Sequence, residues 1–326
     1  MSKTAIIGGG VAGLACAKAL TQAGRRVVVF DKGRGPGGRL STRRTDVGAF
    51  DHGAQYFTVR DDVFREQVRQ WIDSGVVAEW TGAFATVDGG RISPDEGGPP
   101  RYVGAPKMNA FIAAEAETAG VRFGVRVARI IEDAGAWALA DEAGGDLGRF
   151  EAVVLATPAE QTVDLAPAGD AGAALAARAA AARSAPCWAV LAAFDGDIGA
   201  PFDAAKISQG PLSWIASDAA KPGRAPGARW VLHASAEWSK THLEADKDDI
   251  APQLLEVFFK AAGVAPRAPV FLAAHRWRYA LVERADGGVF VWDAAAGLGA
   301  CGDWLAAPRI EAAWLSGRGL AKAMSG

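Results

Sequence analysis

Thr4-Ala5-Ile6-Ile7-Gly8-Gly9-Gly10-Val11-Ala12-Gly13, with Val27-Val28-Val29-Phe30-Asp31 following, is the stretch that decides how this chain is read. The apolar run ending at Ile7 suits a buried strand, the residues to about Gln22 suit a helix, and Val27–Phe30 suits a second buried strand. This is a βαβ pattern with G-x-G-x-x-G at its first strand-to-helix turn. Gly8 permits the tight turn, Gly10 leaves the backbone bare where a pyrophosphate would approach, and Gly13 lets helix and strand pack closely. Val11 and Ala12 open the helix, whose free N–H groups and dipole favour negative charge. Asp31 stands 18 residues beyond Gly13, where its carboxylate can accept hydrogen bonds from ribose hydroxyls and would repel a 2′-phosphate. Strand, turn, helix and acid in one frame predict a dinucleotide site. The glycine string alone would fit a tight turn that binds nothing.

The rest of the chain bounds that reading. Its 326 residues suit one large or two modest domains, and 50% hydrophobic with 22% charged residues is a globular composition. The 35 Lys and Arg against 37 Asp and Glu give a formal charge of −2, with no cation excess to attract nucleic acid. Cys16, Cys187 and Cys301 are odd in number and far apart, which fits neither a disulfide framework nor a paired-cysteine metal site. No metal is expected, and a reducing cytoplasm is the simpler setting. Neither a secretion signal nor an apolar run of about 20 residues is found, so no membrane partner is expected. The Ala-rich run Ala171–Ala182 is short and contains Arg178, as in a soluble helix.

Periodicity predicts a helix over Val63–Ile72, a strand with one wet face over Val121–Ile131, and a strand Ala152–Ala156 returning to the nucleotide sheet. Beyond Pro158 an Ala-rich helix precedes candidate strands at Trp188–Phe194, Leu212–Ala216 and Trp230–Ser235, then a helix Leu254–Ala262 and the run Pro269–Trp277. Asp88–Pro100 and Lys221–Gly227 read as Gly-rich loops. Gly299–Ser325 restores a turn and an amphipathic helix. The expected fold is α/β: a discontinuous Rossmann-type domain over residues 1–58, 104–160 and 285–326, with a substrate domain of mainly antiparallel sheet and helices over 59–103 and 161–284.

The glycine motif leaves FAD and NAD open. A second cluster, Asp31-Lys32-Gly33-Arg34-Gly35-Pro36-Gly37-Gly38-Arg39, offers bare backbone, with Arg39 able to neutralise a diphosphate or orient the flavin side of a cofactor. A third, Cys301-Gly302-Asp303, precedes helix-forming residues, and Asp303 could contact a ribityl chain. Cys301 is not assigned as a covalent anchor.

Together with Asp51-His52-Gly53-Ala54-Gln55-Tyr56-Phe57-Thr58, His275-Arg276-Trp277-Arg278-Tyr279-Ala280, Cys301-Gly302-Asp303-Trp304 and Glu311–Gly317, these clusters resemble the FAD-dependent amine oxidase superfamily. Within it, the closer resemblance is to the renalase family, especially its bacterial branch. It spans nearly the whole chain. The resemblance implies noncovalent FAD contacted near Ala12, Asp31, Arg39, Gln55, Tyr56 and Asp303, with Lys32 and Gly38 beside them and adenine near Val127. It implies oxidation of the 2- and 6-dihydro isomers of NAD(P)H, with the flavin reoxidised by oxygen to give hydrogen peroxide.

His52 departs from the apolar residue expected in relatives. Alternation would place His275, Trp277 and Tyr279 on one face of a strand. Tyr56, His275, Arg276 and Tyr279 are the substrate-pocket candidates, with Arg276 equally suited to an ordinary ion pair. No acid–base pair is nominated, because a dihydronicotinamide can give up hydride directly to a flavin and the protein then mainly orients the two. The rival readings are an amine oxidase and a noncatalytic FAD-binding protein.

Overall fold

The computed structural model describes residues 3–326. β1 (Lys3–Ile7), α1 (Val11–Gln22) and β2 (Arg26–Asp31) form the expected unit, with β1 and β2 parallel. Ala152–Leu155 pairs in parallel on the other side of β1, and Leu298–Cys301 extends the sheet from there. Phe290–Asp293 closes that edge antiparallel, and Arg122–Phe123 forms the opposite edge beside β2. Ile6, Val29, Val153 and Val154 are fully buried, as a largely parallel sheet covered on both faces requires. Each such side chain contributes roughly 1.5–3 kcal/mol. The C-terminal helix Ile310–Ser325 lies along α1, so the end of the chain completes the nucleotide core.

A seven-stranded sheet carries the rest. Its order is Phe271–Arg284, Arg183–Phe194, Ala228–Ala234, Leu212–Ser217, Ala204–Ile207, Phe84–Asp88 and Arg91–Pro94. Every neighbouring pair is antiparallel except Ala204–Ile207 with Phe84–Asp88. The helix Lys247–Ala262 covers one face with Ile250, Leu254 and Phe258. The architecture is the expected α/β arrangement of a Rossmann-type part and a mainly antiparallel part.

Two local expectations fail. Asp88–Pro100 is not all loop: Arg91–Pro94 pairs with Phe84–Asp88, and Gly89 and Gly90, at φ 55° and 85°, make the turn between them. Two residues at positive φ are what a tight hairpin needs, so the glycines that suggested a break are the hairpin itself. Val121–Ile131 is not one strand. Gly124, at φ 71°, separates Arg122–Phe123 in the nucleotide sheet from Val127–Asp133, which joins Ala136–Asp141 and Asp146–Phe150 in a small antiparallel sheet.

The next helix, α2 (Asp62–Asp73), starts at Asp61, whose side chain accepts from the amides of Val63 and Phe64 at 2.9 and 3.0 Å. Its Phe64, Val68 and Trp71 enter the same core as Ile6 and Leu14. Thr42–Thr45 and Gly48–Asp51 form a separate two-stranded hairpin that leads into the Asp51–Thr58 segment.

Candidate functional site

One cavity of about 2530 Å³ extends from Gly8, Gly10 and Asp31 to Tyr56, His275 and Tyr279. At its nucleotide end, Gly8 sits at φ 115°, and a Cβ there would stand 2.5 Å from the Ala156 carbonyl oxygen. A Cβ on Gly13 would stand 2.0 Å from the Gly8 oxygen, so these two positions admit no side chain. Gly13 is a packing residue beneath the cavity and does not line it. At Gly10 a Cβ would meet nothing within 4 Å, and no side chain caps α1 there. The amides of its first turn are thereby left for a ligand, with Val11 and Ala12 on the wall.

Asp31 lines the same end of the cavity. Its Oδ2 accepts from the Gly9 amide and its Oδ1 from the Gly33 amide, each at 2.6 Å, so it also holds the glycine turn in shape. Lys32 donates to Gln161 at 3.0 Å, and burial together with Arg126 lowers its pKa. Val127 lines this end beside Arg126 and Glu142.

Gly38, Arg39 and Asp303 line the middle. Arg39 and Asp303, 264 residues apart, pair bidentately at 2.8 and 2.6 Å, and Arg39 also donates to the Ala280 carbonyl at 3.3 Å. Burial works against the guanidinium charge, but Asp303 outweighs it and keeps Arg39 protonated. The two side chains assigned separately to diphosphate and ribityl are thus one ion pair, which joins the loop after β2 to the turn before the last helices. Gln55 lines the wall as well, with its amide nitrogen donating to the carbonyls of Asp51 and Gly53. Cys301 is fully buried, and a hydrogen bond with Cys16 and burial raise its pKa, which suits an inert thiol.

The far end is aromatic. Strand register explains it: Trp214 pairs with His233, His233 with Ala189, and Ala189 with His275, so these four residues form a row across four strands. His52 meets the row, with its ring centroid 4.7 Å from His275 and 5.0 Å from Trp277, and Tyr56 stands 5.2 Å from Trp214. Trp277 Nε1 at 3.0 Å and His233 Nε2 at 3.2 Å both reach the His52 carbonyl. A carbonyl only accepts, so His233 carries its proton on Nε2 and leaves Nδ1 as an acceptor. Burial, then His275, His233 and Arg43, hold His52 down at about 4; burial alone is the main cause of the same value for His233. Burial and Arg43 lower His275 too. All three imidazoles are neutral at neutral pH.

His275, Trp277 and Tyr279 do line the cavity from one long strand. Arg276 also borders it, but its guanidinium donates to the Leu243 carbonyl and to Glu244 at 3.0 Å, beside the Arg278–Glu244 pair. The ion-pair reading of Arg276 is the one its contacts fit. His233 and Trp214 escaped the sequence reading because only strand register brings them into one row with His275. The buried group Asp51, Asp218, Lys221 and Arg224 escaped it because Lys221–Gly227 has the composition of a plain loop.

The residues fit an extended dinucleotide such as FAD: a bare glycine turn with uncapped amides, a carboxylate at the end of β2, and room along Arg39 and Asp303. Among the described residues, no cluster suited to a metal ion is present and no helix is long and apolar enough to cross a membrane.

Residues 6–72 match the family model of an NAD(P)-binding Rossmann-like domain. Similar solved structures include a protein of Exiguobacterium sp. 255-15 provisionally described as a protoporphyrinogen oxidase, with TM-score 0.78. Cyclohexylamine oxidase from Brevibacterium oxydans IH-35A gives 0.75, and putrescine oxidase bound to putrescine gives 0.72. Each is 13% identical, over 99% of this chain and 98% of the other. At that identity the likeness is one of fold: the chain is an α/β protein with a Rossmann-like segment at its start and the architecture of these oxidases.

Proposed function

We propose that this chain is an FAD-dependent oxidoreductase that oxidises the 2- and 6-dihydro isomers of NAD(P)H to NAD(P)+, with oxygen reduced to hydrogen peroxide. The observation that carries the reading is the zoning of the one cavity. Ordinary ligand pockets run to roughly 1,000 Å³, and this one, at about 2530 Å³, has space for a dinucleotide and a second large ligand. The glycine turn, Asp31, Arg39, Asp303 and Val127 would hold noncovalent FAD. When bound, FAD supplies the two-electron acceptor.

The far end then serves the donor. Trp214, Trp277 and Tyr56 offer flat apolar surface, and three neutral imidazoles offer hydrogen-bonding dipoles without charge. Such walls suit a planar dihydronicotinamide, and the ring faces also suit the pyridinium it becomes. A donor of this kind needs orientation and no enzyme base, consistent with imidazoles held neutral, of which His233 has its proton fixed by the His52 carbonyl.

An amine oxidase is the second reading. The Tyr56–Trp214 pair favours it, since two aromatic faces could flank an amine. Anaerobic mixing of the FAD-loaded protein with each donor separates the readings. Both dihydro isomers should bleach the flavin faster than NADH or simple primary amines, and oxygen admitted afterwards should yield peroxide. Rapid bleaching by an amine, with both isomers inert, would select the amine oxidase. Bound flavin that no donor reduces would select a noncatalytic role.

A further inference from the structure

Behind the cavity wall lie four charged side chains that the proposed chemistry leaves unused. Lys221 and Asp51 are fully buried, Asp218 and Arg224 nearly so. Lys221 Nζ donates to Asp218 Oδ1 at 2.8 Å and to Gln55 Oε1 at 3.1 Å, and stands 3.5 Å from Asp51 Oδ2. Arg224 binds the same Asp51 oxygen and the carbonyls of Gly104 and Pro222. Asp51 Oδ1 accepts from the Thr42 hydroxyl at 2.6 Å and the Met108 amide at 3.0 Å. Burial alone would raise both carboxyls; beside Lys221 and Arg224 that of Asp51 is held at about 2, whereas burial keeps that of Asp218 above the usual range.

Breaking such a buried pair is expensive, and nonpolar side chains would fill the space as well, so stability is a weak reason for this cluster. Its geometry supplies a better one. Both hydrogens of the Gln55 amide go to the carbonyls of Asp51 and Gly53, and its oxygen takes the Lys221 ammonium. Gln55 therefore acts as a strut. On one side is a cation held by the loop after Ser217; on the other is the run Gly53–Tyr56, which lines the cavity and whose Ala54 amide bonds the Arg39 carbonyl at 2.9 Å.

We propose that Lys221 is a positioning residue for the cofactor site: its buried ammonium fixes the Gln55 amide, and through Gln55 the Gly53–Tyr56 wall and the backbone of Arg39. Lys221 does not line the cavity and acts one side chain away from any ligand in it. The inference rests on the proposed binding of FAD.

The test uses the full chain with FAD titrated by fluorescence quenching, the midpoint potential of the bound flavin, and thermal melting. Lys221→Met and Gln55→Leu should each weaken FAD binding at least tenfold. Their combination should be no weaker than the weaker single variant, because both break one strut. In Lys221→Met the potential should fall by about 30 mV, which is a tenfold weaker relative hold on the reduced flavin for a two-electron couple. Lys221→Met with Asp218→Asn removes the ion pair together and guards against simple misfolding. It should melt near the wild type and still bind FAD at least tenfold more weakly. Wild-type affinity in that double variant, or losses that multiply when Lys221→Met and Gln55→Leu are combined, would overturn the inference alone. A wild-type chain that takes up no FAD would overturn the proposed function and this inference with it.

Discussion

Replacing His233 by glutamine keeps a donor for the His52 carbonyl while removing one titrating ring, which makes the charge state of the aromatic end measurable. Burial holds the His233 pKa at about 4 against an ordinary 6.5. As pH falls through the window from 6.5 to 4, the unfolded chain takes up a proton that the folded ring refuses, so stability drops on acidification. Between about pH 7.5 and about pH 5 the loss is roughly 2 kcal/mol for a ring shifted this far. His52 shifts as far and works in the same direction. Asp51, at about 2, adds its own loss only below the ordinary carboxylate pKa of 3.8. Asp218, with a raised pKa, has the opposite sign and favours the folded state at acid pH. These three are common to wild type and variant and largely cancel in the comparison. Urea unfolding of both at the two pH values should show the wild type losing roughly 2 kcal/mol more than His233→Gln. Equal losses would mean that His233 titrates normally and that the wall is cationic at mildly acid pH, against the neutral site argued above.

Asp31→Ala should weaken FAD binding by about 1.5–3 kcal/mol, or roughly ten- to a hundredfold, and should lower the melting temperature without cofactor, because the Gly9 and Gly33 amides lose their acceptor; FAD titration and thermal melting check the two effects. Gly13→Ala would drive a methyl to 2.0 Å from a backbone oxygen, and should cost at least about 1–3 kcal/mol with loss of FAD binding, read by urea unfolding and titration. The flavin should be released intact when the loaded protein is denatured, because Cys301 is buried as a thiol; colour that stays with the denatured chain would contradict this.

How much of this was legible in the sequence depends on distance along the chain. β1, α1, β2 and Asp31 lie within one stretch, and their places in the fold follow from strand and helix periods and from glycine sterics, so the βαβ unit could be read directly. The Trp188–Phe194, Leu212–Ala216 and Trp230–Ser235 strands were readable as apolar runs, but their pairing was not. Arg39 and Asp303 were each singled out, yet their bidentate contact spans 264 residues and cannot be inferred from either motif. Lys221 shows the limit most clearly. Its Pro- and Gly-rich surroundings predict a loop correctly, and loops normally lie in water, whereas this one carries an ammonium into the core.

The aromatic end illustrates why register, and not composition, makes a site. His233 and His275 are in register on either side of Ala189, and the His52 ring stands 4.7 Å from that of His275. None of the three histidines is within hydrogen-bonding reach of a carboxylate that would favour its proton; burial opposes it at all three, with the neighbouring rings and Arg43 at His52, Arg43 at His275 and Lys221 at His233. The same packing that gathers the rings therefore keeps the imidazoles uncharged, so that these rings would offer the proposed donor shape and hydrogen bonding. Fixed charge surrounds these rings: Arg43 lines the same cavity, the Arg39–Asp303 pair lies along its middle, and the Lys221 cluster lies behind it. A protonated histidine there would add to the Arg43 charge and oppose the positive ring that oxidation of the proposed donor would create, so the neutral imidazoles fit that reading.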